Sequence, residues 1–110
     1  MSMQSNLKKI RDALVSINGL NVYHYFRPKL QAPYCIWAED AEASALHSSN
    51  HKQEQCISGT IDYYTLQEYD NTVDLIQEKL NTIENCGWSL NSIQYEDETN
   101  LIHYEWVFYI

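Results

Sequence analysis

The stretch IDYYTLQEYDNTVDLIQEKL, residues 61–80, changes its periodicity halfway along, and the fold follows from that change. Ile61 and Tyr63 alternate with Thr60, Asp62 and Tyr64, which is the period of a half-buried strand rich in β-forming residues. From Val73 onward the apolar residues Val73, Ile76, Leu80 and Ile83 recur at three- and four-residue steps, the period of a helix that buries one face. Asp70 stands just ahead of that run, where a carboxylate can accept hydrogen bonds from the first free amides of a helix. A strand therefore passes directly into a helix, and the two must share a core.

Working outward, Leu7, Ile10, Leu14 and Ile17 mark one face of a first helix over about 5–18, with Ser5 or Asn6 as its cap and Gly19 placed to end it. LNVYHYF (20–26) and PYCIWAE (33–39) read as two strands around a proline-containing turn, a hairpin. Residues 41–54, AEASALHSSNHKQE, follow neither period and read as a flexible loop, or a short helix plus loop. A loop of that length in so small a domain points to a role with a partner. QCISGTIDYYT (55–65) is the third strand, and Gly59 inside it signals a bulge or a close backbone approach.

Gly87 is expected to close the second helix. WSLNSIQYEDETNLIHYEWVFYI (88–110) then gives two strands around EDETN, the last with Ile102, Tyr104, Trp106, Phe108 and Ile110 on one face. A terminal strand is ordered only when it is paired, which places it well within the sheet. The order α-β-β-β-α-β-β implies an α+β fold: a mostly antiparallel sheet of about five strands with both helices packed on one face. The other face must meet water or another subunit. No repeat or linker divides residues 1–110, so a single domain is expected.

The composition narrows the function. Fifteen acidic against seven basic side chains leave a formal charge of -8. Lys8, Lys9, Arg11, Arg27, Lys29, Lys52 and Lys79 are not gathered in sequence, which argues against tight nucleic-acid binding. The opening MSMQSNLKKI lacks the apolar core of a signal peptide, and no run approaches the roughly 20 apolar residues of a membrane span, so the expectation is a soluble intracellular product. Cys35, Cys56 and Cys86 are odd in number and widely spaced, as expected of reduced, buried small residues.

Catalytic signatures are missing. His47 and His51 lie four apart with Glu54 and Cys56 nearby, but without an amphipathic helix, an HExxH or a paired-cysteine motif they read as solvated loop residues rather than metal ligands. His24 and His103 fall in strands, as pairing or surface residues. Glu39 with Asp40, and Glu96 with Asp97 and Glu98, are turn neighbours rather than partners across a pocket. There is no nucleophile elbow, and three glycines make no phosphate loop. The reading is a protein that is not an enzyme and needs no cofactor or metal. Tyr23, Tyr25, Tyr63, Tyr64, Tyr69, Tyr95, Tyr104, Trp106 and Tyr109 exceed what so small a core can hold, so they either line an exposed sheet face or form subunit contacts. Leu46, His47, His51 and Lys52 in the 41–54 segment, with Tyr64 and Tyr69 at the strand-to-helix step, are the candidate partner-interface residues.

APYCIWAED after a first helix, then a polar stretch, GTIDYYTLQEYDNTVDLIQEKLNT and the closing LIHYEWVFYI together resemble the tail terminator and tail completion (minor tail) proteins of long-tailed bacteriophages and prophages. The resemblance covers most of the chain and rests on an arrangement of patterns, not on a catalytic signature. It implies a structural subunit made in the bacterial host cytoplasm that assembles as a ring, a hexamer, at the head-proximal end of the virion tail. There it would stop growth of the tail tube and meet the head-tail connector protein. Its partners would be itself, the tail-tube protein and the connector, with no membrane, and DNA would pass through an acidic ring that repels it weakly from every side. The alternatives are a head-side head-tail joining (minor capsid or connector) protein and, from another class, an acidic DNA-mimic inhibitor.

Overall fold

The computed structural model describes residues 2–29, 31–48 and 51–110, the side chains of 44–48 and 51–54 excepted. Helix α1 (Met3–Val15) begins earlier than expected, because Ser2 rather than Ser5 or Asn6 is its cap. The Ser5 amide donates to Ser2 Oγ at 3.1 Å, while the Ser5 hydroxyl turns back to the Ser2 carbonyl at 3.0 Å. The helix buries Leu7, Ile10 and Leu14, and Gly19, at φ +80, turns the chain toward the sheet.

Strand β1 (Val22–His24) pairs with β2 (Tyr34–Ser48) in parallel, not as the expected hairpin, with Val22 opposite Cys35 and His24 opposite Trp37. Tyr25 enters the left-handed region at φ 75 and its amide donates to the Trp37 carbonyl at 2.9 Å. β2 starts level with β1, with Cys35 opposite Val22.

The expected loop at 41–54 is strand at 41–48 and 51–54. β2 and β3 (His51–Thr65) pair from Tyr34 opposite Tyr64 out to Ser48 opposite His51, with register shifts at Glu39/Ala41, Glu42/Ser44 and Leu46/His47. β3 is bordered by β5 as far as Ser58 opposite Tyr109, and Ile57 and Ile110 exchange backbone hydrogen bonds of 2.7 and 2.9 Å just beyond, so the outer ladder projects past the sheet as a two-stranded arm. The backbone ladder defines the strands there. The segment lacks the alternation that marks strands elsewhere, so side-chain period gave no sign of it.

Asp70 caps α2 (Asn71–Asn81) as expected. Gly87 does not close that helix: Thr82 is its C-cap, Asn85 at φ 58 turns the chain, and Gly87 opens β4 (Gly87–Glu96). β4 and β5 (Leu101–Tyr109) form the expected hairpin around residues 97–100. The sheet order is β1-β2-β3-β5-β4, so the terminal strand does lie inside it.

Both helices cover one face, enclosing Leu7, Ile10 and Leu14 of α1 and Ile76 and Leu80 of α2 against Trp37, Ile61, Tyr63, Trp106 and Phe108. The result is the expected α+β fold with two helices and a five-stranded, mostly antiparallel sheet. Gly59 makes the close approach anticipated for it: a Cβ there would meet the Ala38 carbonyl oxygen and lie 2.6 Å from Phe108 Cε2.

Candidate assembly surfaces

The strand-to-helix step is built on Asp70. Its carboxylate accepts from the Tyr63 hydroxyl at 2.6 Å, the Thr65 hydroxyl at 2.7 Å and the Thr72 amide at 2.9 Å. Burial opposes its ionisation, but these donors outweigh burial and hold its pKa below the ordinary aspartate value. Burial and the neighbouring Asp70 carboxylate push the Tyr63 phenol up to about 12. With β3 and α2 tied together, the turn between them is held outward: Leu66 is 55% and Tyr69 90% exposed, the latter at φ 57.

That turn adjoins the edge of the sheet at β4. Trp88 and Leu90 sit opposite Phe108 and Trp106 on the helix side. The register shift between Leu90 and Ser92 absorbs one residue, so Ile93 and Tyr95, opposite Tyr104 and Ile102, return to that same side. Helix α2 reaches the strand at its beginning, where Trp88 Nε1 donates to Asn81 at 2.9 Å; deeper in the sheet, Trp106 Nε1 donates to Gln77 at 3.0 Å. Past it Leu90, Ile93 and Tyr95 are 41%, 58% and 59% exposed. Leu66, Glu68, Tyr95, Asn100 and Ile102 line a shallow groove beside them. Exposed Glu68, Glu96, Asp97 and Glu98 rim the surface. An unpaired strand edge carrying an apolar stripe is a surface for another protein chain.

The opposite edge has a different chemistry. His24 stacks on Trp37 at 3.9 Å and on Tyr25 at 3.8 Å, and His24 Nε2 lies 2.7 Å from Glu39, which also accepts from the Tyr25 hydroxyl. Burial opposes ionisation of Glu39, but the hydrogen bonds from Tyr25 and His24 more than offset it and lower its pKa. This column holds Tyr25 and Phe26 outward at 61% and 62% exposure. Over it, Lys8 and Arg11 of α1 flank a groove floored by Leu7, His24 and Trp37.

On the open face Arg27 Nη2 donates to the Tyr64 hydroxyl at 3.0 Å with the guanidinium 5.1 Å from the ring centre. Tyr64 in turn stacks on His103 at 4.2 Å and packs on Tyr34 at 5.0 Å. His103 Nε2 meets Asp62 at 2.7 Å. Burial raises the Asp62 pKa, His103 opposes the rise, and Glu105 adds to it.

Of the candidate interface residues, Tyr69 is presented outward, whereas Tyr64 is only 6% exposed and is engaged within the subunit. Leu46 pairs with Glu54, His47 with Lys52 and Ser48 with His51 in the backbone ladder of the arm; their side chains lie outside the described residues. His47 and His51 are in facing strands, so their four-residue spacing does not place them on one helical face. The tyrosine excess divides the same way: Tyr63 and Trp106 are core, while Tyr25, Tyr69, Tyr95 and Tyr109 are exposed. Leu66, Leu90, Ile93 and Phe26 were not among the expected interface residues. The signal for Leu90 and Ile93 lay in the alternation of WSLNSIQYE, broken at Asn91 by the register shift.

Comparison of the chain with known protein-family models and with curated proteins returned no match. Among the described residues no helix is long and apolar enough to cross a membrane.

Proposed function

We propose that this chain is a structural phage protein, a subunit that closes into a ring, caps the tail tube at its head-proximal end and joins tail to head. The observation that carries this reading is the apolar stripe of Leu90, Ile93 and Tyr95 on the unpaired edge of β4. It supports contact with another protein chain, since a stripe of this kind is otherwise an aggregation hazard. The aromatic surface at the opposite edge adds support, because two unlike surfaces on one subunit suit a head-to-tail contact, which closes into a ring when the rotation permits. The projecting β2–β3 arm supplies a further element for reaching a neighbour or the tube. The tail role itself rests on the resemblance of the strand, turn and helix pattern at 59–82 to terminator proteins.

The test is to polymerise tail-tube protein from the same phage or prophage with and without this chain and measure tube lengths by electron microscopy. Tubes shortened and capped at one end by rings are expected. Unaltered tubes, with rings that instead bind the head connector, would make this a head-side joining protein. Unaltered tubes with tight binding to a DNA-binding protein would make it a DNA mimic.

A further inference from the structure

The seven basic residues are scattered along the sequence, yet the fold sorts charge across the sheet. Residues 1–33 carry five of the seven basic side chains and one acidic one, Asp12. Residues 66–110 carry nine acidic side chains and a single lysine, Lys79. The first segment builds α1, β1 and the loop after it, at one edge of the sheet; the second builds α2, β5 and β4, which end at the other edge. The first segment is thus net basic and the last net acidic, meeting on the open face where Arg27 lies within electrostatic reach of Glu96, although the net charge is -8.

Two acidic groups near the basic edge, Asp12 and Glu39, are engaged within the subunit. Asp12 is bridged by Arg11 at 2.8 Å, and Glu39 by His24 at 2.7 Å. Lys8 and Arg11 are exposed beside His24 and Trp37 at this edge, near the outward rings of Tyr25 and Phe26, with Arg11 shared with Asp12; Arg27 lies instead over Tyr64 on the open face. The β4 edge offers the complement: an apolar stripe of Leu90, Ile93 and Tyr95 beside the exposed carboxylates of Glu96, Asp97 and Glu98.

The geometry points to a second copy of this chain as the occupant of the β4 edge, docked head to tail through its β1 edge. Aromatic rings of one copy cover the apolar stripe of the next, and the Lys8–Arg11 groove receives the acidic β4–β5 tip. Pairing β4 with β4 would leave these carboxylates without the basic partners that the β1 edge supplies. This inference rests on the reading of the chain as a ring subunit but not on its place in a tail. Charge complementarity of this kind also sets register and direction, which a closed ring needs from every contact.

The test uses the full chain and two charge reversals, Lys8→Glu with Arg11→Glu, and Asp97→Lys with Glu98→Lys, all at exposed positions. Far-UV circular dichroism and thermal unfolding verify the fold; if a reversal unfolds the chain, the neutral Lys8→Gln/Arg11→Gln and Asp97→Asn/Glu98→Gln pairs replace it. Sedimentation velocity then follows association over concentration at low and high salt. Wild type is expected to associate at low salt, and each reversal alone to weaken association at least about tenfold. An equimolar mixture of the two reversals should recover it, since each then meets an opposite edge. A wild type that stays monomeric up to its solubility limit, a Lys8→Glu/Arg11→Glu variant that associates normally, or a mixture no better than its parts would overturn the inference. Association that obeys the reversals in a protein that never caps tubes would leave this interface standing and remove the tail role. Capping by both reversals alone would do the opposite.

Discussion

The Tyr63 hydroxyl and the Asp70 carboxylate are joined by a hydrogen bond of 2.6 Å, linking a core residue of β3 to the N-cap of α2. One carboxylate thereby satisfies a nearly buried phenol, a buried threonine and a helix amide, and the turn between strand and helix is held by the group that starts the helix. Asp70→Ala should cost about 2–4 kcal/mol in urea unfolding, because it removes the cap and leaves two hydroxyls without their acceptor. Asp70→Asn should cost less, since its carbonyl oxygen can still serve the Thr72 amide. A loss below about 0.5 kcal/mol for the alanine variant would mean that water replaces all three bonds.

The pH dependence of stability has two opposing parts. Asp70 and Glu39 have pKa values lowered by folding, so they contribute stability that is complete above the ordinary carboxylate range and is lost as pH falls through their folded values. Asp62 is raised, so its ionisation opposes folding above its folded pKa. Asp62→Asn should therefore unfold at a higher temperature than wild type at neutral pH, with the difference shrinking as the solution is acidified. A lower melting temperature at neutral pH would show that the contact with His103 outweighs burial.

Gly59→Ala tests the packing between β2, β3 and β5. The new methyl would run into the Ala38 carbonyl oxygen, which is ladder backbone, and into the Phe108 ring. A destabilisation of about 3 kcal/mol or more is expected, at the upper end of overpacking changes. Adding Phe108→Leu should restore only part of it, because the carbonyl remains.

Ile93→Asp places a charge in the middle of the β4 stripe, at a position 58% exposed. Folding stability should change by no more than about 0.5 kcal/mol, as for other surface substitutions. Ring formation and tube capping should both be lost. A variant that unfolds would instead place Ile93 in the core.

Replacing residues 44–54 with an Asn-Gly turn shortens the arm without touching the described core, whose β2 and β3 members are Cys35, Trp37, Ile57, Ile61 and Tyr63. The melting temperature should stay within a few degrees of wild type, while binding to neighbouring copies or to the tube weakens. Differential scanning fluorimetry and the capping assay read the two effects separately.

The amphipathic periods of Leu7–Ile17 and Val73–Leu80, the alternation of Ile61 and Tyr63, and the run from Ile102 to Ile110 were enough to place both helices and the inner strands, because a core imposes its period on whatever covers it. Asp70 as a cap and Gly59 as a close approach were readable for the same reason: each is a local demand met by one residue type. The parallel pairing of β1 and the strands of the arm were not. Parallel pairing depends on how the chain returns between β1 and β2, and the ladder of the arm falls in a segment whose sequence has no strand period. The two surfaces were hidden differently. Tyr64 and Tyr69 look alike in sequence, but the Arg27 and His103 contacts bury the first, while the cap at Asp70 turns the second outward. Lys8 and Arg11 beside β1 and the acidic β4–β5 tip lie toward opposite edges only because the sheet order sets β1 and β4 at its two ends. Short-range periodicity records what each segment buries; which buried segments become neighbours, and so which charges and rings share an edge, is set by contacts far apart in the chain.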